Sequence, residues 1–156
     1  MGDIRIEKHN VNISTVTDTV FTTLSDKAMA KGLYLKKSFP AEPIEINADK
    51  DRLVQVLLNL TDNSIKFTER GGVTIGLEKE GELSIIFVED TGIGIAKGHL
   101  SRLGERFYRV DRSRSRELGG TGLGLAIVKH LVKAHGWEMQ IESTPGKGTK
   151  VKILLS

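Results

Sequence analysis

Residues 59–67 read Asn-Leu-Thr-Asp-Asn-Ser-Ile-Lys-Phe and fall on a predicted helix with otherwise mostly apolar surroundings. Asn59, Asn63 and Lys66 stand at positions i, i+4 and i+7, so they share one face of that helix. Its start is predicted at Asp49, a favourable N-cap residue, and its end near Phe67. Two amides and an ammonium on one face can bind a metal ion, contact an anion and position a water molecule. The alternative is a solvated stripe on an ordinary helix.

Two glycine-rich segments lie downstream of this helix. The first, Asp90-Thr91-Gly92-Ile93-Gly94-Ile95, directly follows a predicted strand, and its aspartate can accept a hydrogen bond from an amino group. The second, Gly119-Gly120-Thr121-Gly122-Leu123-Gly124-Leu125, opens a predicted helix, where exposed backbone N–H groups favour an anion such as phosphate. The alternatives are an ordinary turn after the strand for the first segment and a flexible hinge for the second.

The rest of the chain alternates helices and strands without a strict βαβ repeat. Helices are predicted from a Ser14 N-cap to about residue 31, with Gly32 as C-cap, from 49 to 67, and from 122 to 135. Strands are predicted in the segments 4–13, 33–39, 73–79, 83–89, 139–143 and 149–155. This order predicts one mixed sheet with the helices packed on one face.

Composition narrows the possible functions. The 156 residues include 17 glycines, of which eight lie between Gly92 and Gly124, so glycine is concentrated at the two segments described above. The net charge of +3 is too small to argue for nucleic-acid binding, and the absence of cysteine excludes disulfides and cysteine-based zinc sites. No apolar run approaches the roughly 18 residues that a membrane-spanning helix needs, so no membrane insertion is expected.

The order of the motifs resembles that of sensor histidine kinases. Residues 59–67 look like the N box of that family, and Asp90 to Gly94 look like its G1 box. Glu105-Arg106-Phe107-Tyr108-Arg109-Val110-Asp111 is similar to the F box, and Gly120 to Leu125 resemble the G2 box. Each motif alone is weakly specific, whereas four in this order and spacing are very specific.

The resemblance implies an α+β fold, the two-layer α/β sandwich called the Bergerat fold, also found in gyrase B, Hsp90 and MutL. It implies a mixed, mainly antiparallel sheet, three main helices on one face, and a flexible ATP lid at about residues 96–119. The implied activity is binding of ATP with Mg²⁺ and transfer of the γ-phosphoryl group to a histidine. Residues 1–156 are expected to form a single catalytic and ATP-binding domain without the dimerisation and phosphotransfer domain.

The resemblance also assigns roles to individual residues. Asn63 would bind Mg²⁺, Asn59 would position the metal, its water or the γ-phosphate, and Lys66 and Arg109 would contact phosphate. Asp90 would hydrogen-bond the adenine amino group. The further residues implied at the ATP site line the base pocket or cradle the phosphates: Phe67, Gly92, Gly94, Ile95, Tyr108, Gly120, Thr121, Gly122, Leu123, Gly124, Leu125 and Thr149.

The implied partners are ATP or ADP, a histidine-containing dimerisation domain of the same kinase and, through the full-length protein, a response regulator. The isolated domain is expected to be monomeric and to be the cytoplasmic portion of a membrane-bound sensor. His9, His99, His130 and His135 lie in no acceptor motif and are interpreted as surface or packing histidines. After Gly136 the family commonly has a second glycine, where this sequence has Trp137.

Two other functions remain open from the sequence. One is an ATPase of the gyrase or Hsp90 kind, which would place a glutamate at the first N-box position to activate water. Asn59 occupies that position here and cannot act as a base at neutral pH. The other is a nucleotide-dependent protein-interaction regulator, against which the full set of candidate ligands argues.

Overall fold

The computed structural model describes residues 5–41, 44–92 and 123–155. Ten helices and strands lie in these ranges. In chain order they are β1 (His9–Asn12), α1 (Ile13–Ala30), β2 (Tyr34–Ser38), β3 (Glu45–Ala48), α2 (Lys50–Lys66), β4 (Gly72–Glu80), β5 (Leu83–Asp90), α3 (Leu123–Ala134), β6 (Glu138–Thr144) and β7 (Gly148–Leu155).

The strands form two sheets. Five of them are hydrogen-bonded in the order β2-β4-β5-β7-β6, with β2 and β4 parallel and the other neighbours antiparallel. The strands β1 and β3 form a separate antiparallel pair. The mixed, mainly antiparallel sheet is confirmed, whereas the expectation of one sheet is wrong because β1 pairs with a strand that the sequence pattern did not predict.

The three helices pack on one face of the five-stranded sheet. Alternate residues of β4, β5 and β7 are buried in the core against them, as the period of two in a strand requires. The helix α2 lies between α1 and α3 and contacts the two middle strands β4 and β5. It covers the sheet with residues at helical spacing, among which Leu53, Leu57 and Ile65 are fully buried.

Side chains and glycines fix the ends of the helices. The Asp49 carboxylate accepts the Arg52 N–H at 3.2 Å, which confirms it as the N-cap of α2. The N-cap of α1 is Asn12 and not Ser14, because the Asn12 side chain accepts the Ser14 N–H at 2.9 Å. Gly32, with φ +72°, follows the C-cap Lys31 and allows the chain to leave α1 in the left-handed conformation.

The other predicted elements agree with the structure to within one or two residues, apart from the first strand. That strand is predicted over residues 4–13, whereas in the described part only the four residues of β1 form a strand, because these four are the ones that pair with β3. The predicted lid at 96–119 lies outside the described residues. Among the described helices, none combines the length and the apolar character needed to cross a membrane.

Candidate functional site

The last two turns of α2 carry the polar face that the sequence predicts. Asn59, Asn63 and Lys66 are all half-buried, whereas the exposed residues of this helix lie at its start. The helix ends where Phe67 donates its backbone N–H to the Asn63 carbonyl at 3.1 Å. The two amides and the ammonium therefore stand on a regular helix, at the border between core and solvent.

The Lys66 ammonium is paired within its own helix. It lies 3.3 Å from Asp62 Oδ2, and the other oxygen of the same carboxylate, Oδ1, lies 2.7 Å from the Lys27 ammonium on α1. A carboxylate followed four residues later by a lysine is the favourable orientation for such a pair on a helix. Asp62 therefore holds the position of Lys66 and also connects it to the neighbouring helix.

Asp90 is the last residue of β5, and its side chain is held on the helix side of the sheet. Ile86 and Val88, at alternate positions of the same strand, belong to the core under the helices. Asp90 Oδ1 accepts the Gly92 N–H at 2.9 Å and the Thr149 N–H, from the paired strand β7, at 3.2 Å. The Ser64 hydroxyl on α2 also hydrogen-bonds the carboxylate. Helix and sheet thus both position this acid.

The pKa of Asp90 is raised above its usual value of 3.8. Burial raises it most, and the neighbouring Glu89 charge raises it further. Hydrogen bonds from the Gly92 N–H, the Ser64 hydroxyl and the Thr149 N–H act in the opposite direction, since they favour the charged form. The carboxylate is therefore a half-buried acceptor whose ionised form is stabilised by the donors around it.

Gly92 is packed so tightly that no side chain fits. A Cβ atom there would lie 2.5 Å from the Phe67 carbonyl oxygen and 3.0 Å from both Asp90 Oδ1 and Thr68 Oγ1. The Thr68 hydroxyl is itself fixed, since it donates to the Ser64 carbonyl at 2.6 Å. The missing side chain brings the backbone after β5 against the end of α2, and so closes one wall of the candidate site.

Thr149 lies directly opposite Asp90 in the β5–β7 ladder. While its backbone N–H is committed to Asp90, its hydroxyl lies 2.8 Å from the Ser143 hydroxyl on β6. The Ser143 hydroxyl also donates to the Gly148 carbonyl at 3.0 Å. Thr149 is therefore held from the side by the β6–β7 hairpin, and it lies beside Asp90.

The structure thus brings part of the predicted site together. Asn59, Asn63, Lys66 and Phe67 lie at the end of α2, and Asp90, Gly92 and Thr149 lie beside it at the ends of two strands. The first turn of α3 is formed by Leu123, Gly124 and Leu125. Their side chains are outside the part of the chain that the structure describes. The remaining predicted residues lie outside the described residues: Gly94, Ile95, Tyr108, Arg109, Gly120, Thr121 and Gly122.

The described residues offer little for an all-protein metal site. They contain no group of three or more histidine, cysteine, aspartate or glutamate side chains that could hold a metal ion. A lone amide oxygen such as that of Asn63 suits Mg²⁺, which prefers oxygen ligands and retains several waters while binding substrate phosphates. The donor chemistry at this face therefore fits the metal that the motifs imply.

Three residues that help to form this site were not predicted from the sequence. Ser64 and Thr68 are buried hydroxyls one helical turn apart, and Asp62 pairs with Lys66. A signal for the first two was available, because buried hydroxyl groups in and directly after a helix require hydrogen-bond partners. The role of Asp62 needed the position of α1, which the sequence does not give.

An open cavity of about 380 Å³ lies on the other side of the sheet. Thr74, Glu89 and Lys150, which line it, alternate along their strands with residues of the core under the helices. The cavity therefore opens away from α2, and no residue of α2 lines it. It reaches Asp90 and Thr149 at the ends of their strands but not the polar face of the helix, so it is not the candidate site as a whole.

Comparison with known proteins identifies the family. Residues 48–156 match the family described as histidine kinase-, DNA gyrase B- and HSP90-like ATPase. The chain belongs to this family, and the family resemblance of its four motifs is confirmed.

Within the family, several relatives are named as sensor histidine kinases. The chain is 43% identical over 122 residues to sensor histidine kinase WalK of Bacillus subtilis (strain 168), a match that covers 76% of this chain and 20% of WalK. It is 41% identical over 159 residues to the non-motile and phage-resistance protein of Caulobacter vibrioides, with 99% of this chain and 19% of the relative covered. The chain thus spans about a fifth of the length of these curated relatives.

Solved structures show the same fold. Full-length ShkA in complex with AMPPNP superposes with a TM-score of 0.86 at 31% identity, over 99% of this chain and 32% of ShkA. The catalytic domain of histidine kinase ThkA superposes with a TM-score of 0.82 at 23% identity, over 96% of this chain and 95% of that domain. The two-layer α+β fold expected from the sequence is confirmed.

Proposed function

We propose that this domain binds Mg-ATP and transfers the γ-phosphoryl group to a histidine on a separate dimerisation domain, as the kinase domain of a two-component sensor. The observation that supports it most is the position of Asp90. A half-buried carboxylate is held by two backbone N–H groups and a serine hydroxyl, beside a helix end that carries Asn63 and Lys66. Full-length ShkA, which shares the fold, was solved with the ATP analogue AMPPNP.

Asp90 is proposed to recognise the base. A carboxylate can accept about four hydrogen bonds. The Gly92 N–H, the Thr149 N–H and the Ser64 hydroxyl account for three, so one position remains for an exocyclic amine such as that of adenine. Because no side chain fits at Gly92, the backbone at this position would face the flat ring of the base. Phe67 and Thr149 are proposed to border the ring, together with Gly94 and Ile95.

The polar face of α2 is proposed to hold the phosphates and their metal ion. Asn63 would be the Mg²⁺ ligand, Asn59 would position the metal, its water or the γ-phosphate, and Lys66 would contact phosphate. When bound, Mg²⁺ neutralises phosphate charge and polarises the phosphoryl group. The site would be completed by Arg109, Tyr108 and the segment Gly120–Leu125, whose last three residues form the first turn of α3. Backbone N–H groups at a helix start favour anions such as phosphate.

Phosphoryl transfer fits this set of residues better than hydrolysis does. In such transfers the protein mainly positions the reactants and neutralises charge, which amides and ammonium groups can do. Asn59 stands where a water-activating ATPase would need a base, and its carboxamide takes up no proton at neutral pH. Steady ATP hydrolysis by this chain alone would contradict the proposal.

The direct test is transfer of label from [γ-³²P]ATP to a histidine-containing hairpin fragment taken from the same parent protein. We expect Mg-dependent labelling that is stable in base and labile in acid, and a loss of roughly 100-fold or more with Asn63→Ala, as for removal of one electrostatic group from a transfer site. Asn47→Ala, an exposed asparagine on β3, is the matched control and should label normally. Nucleotide binding without any labelling of the hairpin would contradict the kinase assignment.

The wider setting of the domain is also part of the proposal. The acceptor domain and a response regulator would be its partners, no nucleic acid is involved, and the isolated domain would be monomeric. It would act on the cytoplasmic side as part of a longer sensor protein, in line with the small share of its curated relatives that it covers.

A further inference from the structure

Two charged side chains, Lys27 and Asp62, connect α1 with Lys66, the residue proposed to contact phosphate. Lys27 on α1 and Lys66 on α2 each bind one oxygen of Asp62, at 2.7 and 3.3 Å. The side chains of Asp62 and Lys66 are only 27% and 21% exposed, whereas that of Lys27 is 51% exposed. The inner pair is thus largely shielded from water, and the outer lysine stands at the surface.

This arrangement limits how Lys66 can meet an anion. Its ammonium is bound to Asp62, so a phosphate group must share it with that carboxylate or draw it away. A partly covered carboxylate is destabilised when it is left without a partner. Lys27 is placed to prevent this, since it binds the other oxygen of Asp62, at 2.7 Å.

The backbone at this end of α2 is held separately. The Lys31 ammonium donates to the carbonyl oxygens of Ile65 and Lys66, at 2.7 and 3.1 Å. It thereby satisfies carbonyls that the end of the helix leaves without intrahelical partners. The Lys66 side chain can therefore change partner while the backbone that carries it remains attached to α1.

We propose that Asp62 and Lys27 are positioning residues for the nucleotide phosphates: Asp62 restrains Lys66, and Lys27 compensates Asp62 when Lys66 binds phosphate. The inference rests on the proposed function, in particular on Lys66 as a phosphate contact. It predicts opposite effects for the two partners of one ion pair. Loss of Asp62 should strengthen phosphate binding, and loss of the Lys27 charge should weaken it.

The test is calorimetric titration of ATP, ADP and adenosine, with Mg²⁺, into wild type and variants. With Asp62→Asn we expect ATP and ADP to bind about threefold more tightly, and with Lys27→Met about threefold more weakly, as the strength of part-exposed ion pairs allows. Adenosine should bind equally to all of them. Lys27→Arg should restore wild-type affinity, and Lys27→Met should have little further effect on top of Asp62→Asn.

Matched controls come from the Lys37–Asp18 ion pair, which joins α1 to β2. Asp18→Asn and Lys37→Met change the net charge in the same way and should leave ATP affinity unchanged. Equal effects of the control and test variants, or equal effects on ATP and adenosine, would overturn the inference. If wild type binds no ATP at all, the proposed function itself fails, which separates the two outcomes.

Discussion

At the scale of single residues, Asp90 shows a conflict between stability and binding. Burial raises its pKa, so its contribution to stability is full below the unfolded value of 3.8 and is lost as pH rises through the folded pKa. At neutral pH the ionised carboxylate therefore costs folding free energy. The hydrogen bonds from Gly92, Ser64 and Thr149 reduce this cost and orient the acceptor for a ligand.

Asp90→Asn separates the two effects. The amide can still accept the Gly92 and Thr149 N–H groups but carries no charge to be desolvated, so we expect an unfolding temperature equal to or above that of wild type. It also presents an NH₂ group toward an amino group of the base, so ATP affinity should fall about 10- to 100-fold. Calorimetry of unfolding and of ATP binding measures both. Unchanged ATP affinity in a folded variant would contradict the role given to Asp90.

At the scale of elements, His135 joins three parts of the chain: the end of α3, the start of α2 and the segment before β1. It is 3% exposed at the end of α3, and its ring stacks on Trp137 with centroids 4.2 Å apart. Nε2 accepts the Asp49 N–H at the start of α2, so Nδ1 carries the proton and donates to the Leu131 carbonyl at 2.8 Å. The Lys8 ammonium binds the His135 carbonyl at 3.0 Å and attaches the segment before β1.

These contacts require a neutral imidazole. Burial lowers the pKa of His135, and the Lys8 charge lowers it further, while the Leu131 carbonyl and the Asp49 charge raise it. Because the folded pKa lies below the unfolded value of 6.5, the stabilisation is full above pH 6.5 and is lost as pH falls toward the folded pKa. Protonation would remove the acceptor for the Asp49 N–H, and with it the hydrogen bond that joins the end of α3 to the start of α2.

We therefore expect the free energy of unfolding to fall as pH is lowered from 7 to 5, measured by urea denaturation. His135→Gln should cost about 2 kcal/mol at pH 7, through lost stacking and hydrogen bonds, and should flatten this pH dependence. His130→Gln, an exposed histidine on the same helix, is the control and should keep it. A His135→Gln variant with the wild-type pH profile would contradict this account.

At the scale of the whole molecule, periodicity predicted the elements that bury long apolar faces. The helix α2 shows why: leucines and valines at helical spacing follow an aspartate N-cap, and both features appear in the structure. The pair β1–β3 was not fully predicted because two strands of four residues carry little pattern. His135 was expected to be a surface or a packing histidine. The structure shows that it packs, with partners that depend on which helix ends meet.

The candidate site, too, could be predicted from the sequence only in part. Motif order placed Asn63, Lys66 and Asp90 in one site, and the structure brings α2 against the end of β5. The ion pair of Lys66 with Asp62, and its link to Lys27, depend on how α1 packs on α2, which no spacing within one helix reveals. The local sequence thus predicted which polar groups the candidate site contains, whereas contacts between elements determine which partners position those groups.

The measurement that tests the central claim most directly is the affinity for ATP with Mg²⁺ and with EDTA, in wild type and in Asn63→Ala. If the end of α2 and the end of β5 form a Mg-ATP site, wild type binds ATP at micromolar to millimolar concentrations and loses affinity about tenfold or more without Mg²⁺, since no protein cage replaces the metal ion. Asn63→Ala should bind equally weakly under both conditions. Equal binding by the two proteins, or wild-type binding unaffected by EDTA, would contradict the account.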